Sequence, residues 1–131
     1  MEQSHLNLAG TRTQARVCAL QLLFMMDGGG GSEMDYWDNL AELHVPYAST
    51  LFQGAMGHAD QIDPAIEAAS LNWTLARMTR VDRNVLRLAV FEARYLRVPG
   101  EVVIAEATKL ADALGTEHSA SFVRGILTRL L

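Results

Sequence analysis

Apolar residues recur along this chain at helical spacing, not at the alternation of a strand. Ala15, Cys18, Ala19, Leu22, Leu23 and Met26 follow the i, i+3, i+4, i+7 order that lays one stripe along one face of a helix. Thr11, with Gln14 three positions on, has capping-box spacing at its start. The helix should stop at the DGGGGS stretch, 27–32, because a glycine run loses too much backbone entropy to stay helical. Residues 34–44 read as a second helix ended near Pro46, and about 48–58 as a third. Asp63 before Pro64 reads as a helix start, an N-cap acceptor followed by a residue whose missing N–H costs nothing there. Residues 72–78 form a short turn or helix expected to supply Trp73 and Leu75 to the core. Thr79 then caps a helix that runs to about Leu96 and halts at Pro99 and Gly100. In 102–114, Ile104, Ala107, Leu110, Ala111 and Leu114 share a face, with Gly115 expected at the C′ position. Thr116 or Ser119 caps a last helix whose Phe122, Val123, Ile126, Leu127 and Leu130 point inward. The pattern predicts an all-α protein of about seven helices, one domain spanning 1–131 with residues 1–10 as a flexible N-terminal arm.

The helix after Thr79 poses a question, because it is apolar enough for a core wall yet rich in arginine. At about 100° per residue, Val81, Val85, Leu88, Ala89, Glu92, Tyr95 and Leu96 gather on one side. Arg80, Arg83, Arg87, Arg94 and Arg97 form a stripe on the other. Leu86, Val90, Phe91 and Ala93 fill much of the remaining circumference, so this should be the central helix, touched on several sides. Interhelix ion pairs and snorkelling account for most of the stripe, leaving one or two arginines for phosphate. Glu92 sits on the apolar side, where a carboxylate needs a partner, and Arg16 is one candidate.

Composition narrows the class. Half of the 131 residues are hydrophobic, enough for one core that needs no disulfide or metal. The single cysteine, Cys18, cannot pair internally, and no leader-like or membrane-length apolar run appears, so a cytoplasmic protein is expected. The formal charge of −4 hides an asymmetry. Up to Leu71 there are two basic and nine acidic residues; beyond it there are nine basic and six acidic. Such asymmetry is compatible with one surface facing a polyanion. Enzyme readings fail: GGGG lacks the Lys-Ser/Thr of a phosphate-binding loop. His5, His44, His58 and His118 have no neighbours at metal-ligand intervals. No catalytic, cofactor or metal site is therefore expected.

Three blocks carry a resemblance: ARVCALQLLF (15–24), LARMTRVDRNVLRLAVFEARYL (75–96) and VPGEVVIAEATKLADALGTEHSASFVRGIL (98–127). Together they resemble the NusB transcription antitermination family. The resemblance implies two small helical bundles packed together and a non-enzymatic role. It implies pairing with NusE, a small-subunit ribosomal protein, and binding of the pair to boxA RNA within an RNA polymerase antitermination complex during ribosomal RNA transcription; a homodimer remains open. By position it assigns RNA contact to Arg12, Arg16, Phe24, Asp82, His118, Phe122 and Arg124. His118 stands where the family often has aspartate, and Arg124 where it often has asparagine, both shifts toward positive charge. Arg12, Arg16 and Arg124 are accordingly expected in one cationic patch. Two alternatives stay open: an accessory module like that at the N-terminus of ribosomal RNA cytosine methyltransferases, and a relative that keeps the fold without RNA affinity.

Overall fold

A computed structural model describes residues 11–28 and 46–131, and within them the fold is helical. Six α-helices follow in order: α1 Thr11–Asp27, α2 Pro46–Gly57, α3 Ala59–Ala69, α4 Arg80–Tyr95, α5 Gly100–Leu114 and α6 Ser119–Leu130, with a single 3₁₀ turn, Leu75–Arg77, before α4. The expected arm, 1–10, and the expected helix at 34–44 lie outside the described residues.

α4 is the central helix, as its wraparound apolar surface predicts. Val85, Leu86, Leu88, Ala89, Val90 and Phe91 are all buried, and α1, α2, α3, α5 and α6 each pack against it. Thr79 caps it as expected, its Oγ1 accepting from the Asp82 N–H at 3.1 Å. α1 and α2 pair on one side of α4, while α3, α5 and α6 enclose the rest, giving two small bundles that share one helix. α5 and α6 form an antiparallel hairpin, the start of one lying beside Leu131 at the end of the other.

Two arginines of the stripe, Arg83 and Arg87, are taken up by ion pairs. Asp27, the last residue of α1, accepts from Arg83 at 2.7 Å, from Asn84 at 2.9 Å and from Arg87 at 3.3 Å. Arg87 also reaches Asp63 of α3 at 3.0 Å. An aspartate at a helix C-terminus opposes the dipole; here the cations of α4 offset it. Although burial pushes the Asp27 carboxyl up, hydrogen bonds from Arg83 and Asn84 and the charges of Arg83 and Arg87 outweigh that and hold it below its ordinary value.

Several local expectations are corrected. Asp63–Pro64 does not begin a helix: the His58 carbonyl already accepts from Gln61 and Ile62, so α3 opens at Ala59 and Pro64 lies inside it on the exposed side. The carbonyl that its missing N–H leaves without a helical partner belongs to exposed Asp60, and the Asp63 carboxylate goes to Arg87 instead. Trp73 is not in the core but 45% exposed, whereas Leu75 is buried. Gly115 ends α5 in an extended conformation, not a left-handed one; glycine is needed there because a Cβ would run into the Ser119 side chain. His118 takes the N-cap position of α6 without a side-chain bond, while the buried Ser119 Oγ accepts from the Thr116 N–H at 2.9 Å. Cys18 is half-buried at the edge of the core.

α2 crosses α4 at Gly54, where a Cβ would fall on the Phe91 ring, so close approach and not chain flexibility fixes this glycine. Gly54→Ala should destabilise the fold by about 1–3 kcal/mol through overpacking, read from urea denaturation. Gly57→Ala, where a Cβ meets nothing within 4 Å, should leave stability unchanged or raise it.

Candidate nucleic-acid interface

The first turns of α1 sit over a buried polar network. Arg16, only 5% exposed, donates from Nε to Glu92 Oε1 at 2.8 Å and lies 3.3 Å from Glu106 Oε1. Glu92, 2% exposed, accepts on its other oxygen from the Tyr47 hydroxyl at 2.6 Å. Thr13 Oγ1 donates to Glu106 at 3.0 Å. One carboxylate thus ties together α1, α2 and α4, and Glu106 extends the tie to α5. Burial pulls the Arg16 guanidinium down, but the hydrogen bond to Glu92 and the charges of Glu92 and Glu106 raise it above its ordinary value. Burial, the bond to Glu92 and the Glu92 charge push the Tyr47 phenol up to about 12, against the smaller opposing pull of Arg16 and Arg12.

Above this network the surface carries guanidinium groups laid on aromatic rings. Exposed Arg12 lies 4.2 Å from the Tyr47 ring centroid. At the other end of α1, exposed Arg80 lies 4.7 Å from the Phe24 ring, itself 36% exposed. Gly28 makes room for it, since a Cβ there would come within 2.7 Å of the Arg80 guanidinium. Arg77 stacks 5.2 Å from Trp73, whose ring meets Phe122 of α6 edge-on at 6.1 Å. Such pairs hold a cation and a flat apolar face side by side, the two surfaces a single-stranded nucleic acid uses.

The residues singled out in the sequence fare differently. Arg12 and Phe24 are displayed on α1, about 18 Å apart along its axis. Arg16 is buried, and its side chain is committed to two glutamates. Asp82 is 7% exposed on the first turn of α4, with Oδ1 lacking a hydrogen-bond partner. His118 and Arg124 are exposed, and Phe122 is half-buried. α1, which carries Arg12, packs on α2 and α4, whereas α6, which carries Arg124, packs on α3, α4 and α5, so the two helices meet on α4. Sequence reasoning missed Tyr47 and Trp73 as partners of surface arginines, for they lie far along the chain or in a loop without periodicity. Arg80 was visible only as a member of the stripe.

A cleft of about 260 Å³ between α1, α2 and α4 is lined by Leu23, Met26, Asp27, Met56, Asn84 and Arg87 among others. Among the described residues, its polar members Asp27, Asn84 and Arg87 satisfy one another.

The described residues form an all-helical fold that displays arginine–aromatic pairs at its surface. The chain belongs to the NusB family, whose family model matches residues 13–131. The transcription antitermination protein NusB of Anaeromyxobacter dehalogenans is 41% identical over 130 residues, covering 94% of this chain and 92% of the relative. That of Acidothermus cellulolyticus is 44% identical over 121 residues, covering 88% and 83%. Among solved structures, Thermotoga maritima NusB superposes with a TM-score of 0.81 at 31% identity, over 99% of this chain and 92% of that one. A structure of the antitermination factors NusB and NusE in complex with dsRNA gives 0.81 at 26% identity, over 94% and 97%.

Two outcomes test the network. Glu92→Ala strands the Arg16 guanidinium in the interior and should cost about 3–5 kcal/mol; joint replacement of Arg16 by Met and Glu92 by Leu should recover much of that in a double-mutant cycle. The Tyr47 pKa is raised on folding, so its contribution is fully present below the ordinary phenol value and lost as pH rises toward about 12. Absorbance titration of the phenolates should show one tyrosine ionising last, and Tyr47→Phe should remove that step.

Proposed function

We propose that this chain is an RNA-binding transcription antitermination factor that works with NusE on boxA RNA, in the cytoplasm, as part of an RNA polymerase antitermination complex. Family membership supports the antitermination role, and the likeness to a NusB–NusE–dsRNA structure supports both partners. The observation that carries the reading is the pair of exposed arginine–aromatic stacks on α1, Arg12 on Tyr47 and Arg80 on Phe24.

Arg12 supplies a cation for a phosphate, held in place by a ring whose hydroxyl is fixed on Glu92. Phe24 supplies a stacking face. Arg124 brings positive charge to the middle of α6, and His118 stands at its start, where the helix dipole favours an anion. Phe122 adds a second aromatic edge. Arg16 and Asp82 act from beneath the surface: Arg16 sets the register of α1 through Glu92, and Asp82 sits in the capped first turn of α4.

Fluorescence anisotropy with boxA RNA at two salt concentrations, with and without NusE, tests this. Arg12→Ala and Arg124→Ala should each weaken binding and flatten the salt slope by about 0.7 per lost contact with a single strand. Unchanged affinities and slopes in both variants would overturn the assignment.

A further inference from the structure

We infer that Trp73, together with Arg77 and Phe122, forms an additional stacking site for single-stranded RNA, extending the contact surface of α6 onto the loop before α4; this rests on the RNA-binding reading above. Helical periodicity places Trp73 in the core, yet 45% of it reaches solvent. The loop holds it there. Ser70, buried at 2% exposure, holds its one hydroxyl proton between the carbonyls of Glu67 and Trp73, and the Trp73 N–H returns to the Ser70 carbonyl at 3.3 Å. Glu67 Oε2 accepts the Leu75 N–H at 2.8 Å, closing the far side of the loop. Trp73 therefore cannot collapse inward without breaking bonds made by a buried serine and a carboxylate.

The ring's neighbours indicate what it meets. Arg77 lies over it and Phe122 supports its edge, so the indole is fixed in orientation while much of it stays open. Arg129, from the last turn of α6, reaches the same loop and donates to the Ala69 carbonyl at 2.7 Å. Among the described residues neither Arg77 nor Arg129 is ion-paired, in contrast to Arg83 and Arg87 on α4. The nearby carboxylate, Glu67, already accepts a backbone N–H. A rigid aromatic face under the Arg77 guanidinium, with Arg129 anchored on the same loop, matches the chemistry of bases joined by phosphates more closely than an apolar protein surface. His118 stands one turn before Phe122 on the same side of α6, which makes the site continuous with residues already assigned to RNA.

The test uses the full chain and boxA RNA extended by several nucleotides at either end. Trp73→Ala should weaken binding of the extended RNA about 5- to 150-fold, the range for one lost stacked base, and Trp73→Phe should retain most of the affinity. Arg77→Ala should lower affinity and flatten the salt slope by about 0.7. In a Trp37→Phe background, which leaves Trp73 as the sole indole, RNA should quench the tryptophan emission of the folded protein. Absence of quenching, with Arg12→Ala still weakening binding, overturns this site and leaves the wider RNA reading standing. Failure of the wild-type chain to bind any RNA overturns both. Loss of NusE affinity in Trp73→Ala with RNA affinity unchanged overturns the site in favour of a protein contact, since Trp and Arg also dominate protein interfaces.

Discussion

A guanidinium and a carboxylate placed in a protein interior each give up hydration worth several kcal/mol, and they remain there only if their geometry and further hydrogen bonds compensate. Arg16 and Glu92 meet that condition because Tyr47, Glu106 and Thr13 complete the network. Its effect is geometric. A shift of α1 by one residue along α4 would turn Arg16 away from Glu92 and leave two bare charges, so the register is fixed far more sharply than apolar packing would fix it. From that register follow the position of Asp27 opposite Arg83, Asn84 and Arg87 at one end of α1, and the position of Arg12 above Tyr47 at the other.

The arginines divide according to what they meet. Arg16, Arg83 and Arg87 meet carboxylates and hold helices together. Arg12, Arg77 and Arg80 meet aromatic rings and keep their charge available at the surface. This partition explains how a chain with more acids than bases can present cations to a polyanion. The acids of its first half that the structure describes are partly spent, Asp27 and Asp63 on α4 and Glu67 on a backbone amide.

Much of the fold could be read from spacing alone, because amphipathic helices announce themselves every three or four residues. α1, α4, α5 and α6 fall where the apolar stripes put them, and the anomaly of an acid on the inner face of α4 was enough to point to Arg16. Rules that look only at neighbours were weaker. Asp63–Pro64 has the composition of a helix start, but α3 was already under way and the carboxylate was wanted by Arg87. Trp73 has the hydrophobicity of a core residue, but Ser70 and Glu67, both before it in the chain, tie its loop outward. The surface stacks were illegible for a different reason: Arg12 with Tyr47 and Phe24 with Arg80 join residues from separate helices, and only the packed structure brings them into contact.

The sharing of α4 has a consequence for how the molecule comes apart. Each bundle takes one of its walls from the same helix, so neither holds a closed hydrophobic core of its own. Loss of α1 and α2 would bare Phe91 and strand Glu92; loss of α5 and α6 would bare the opposite face of the same segment. Partial opening is therefore penalised from both directions, which favours unfolding as a single cooperative unit over surrender of one half at a time.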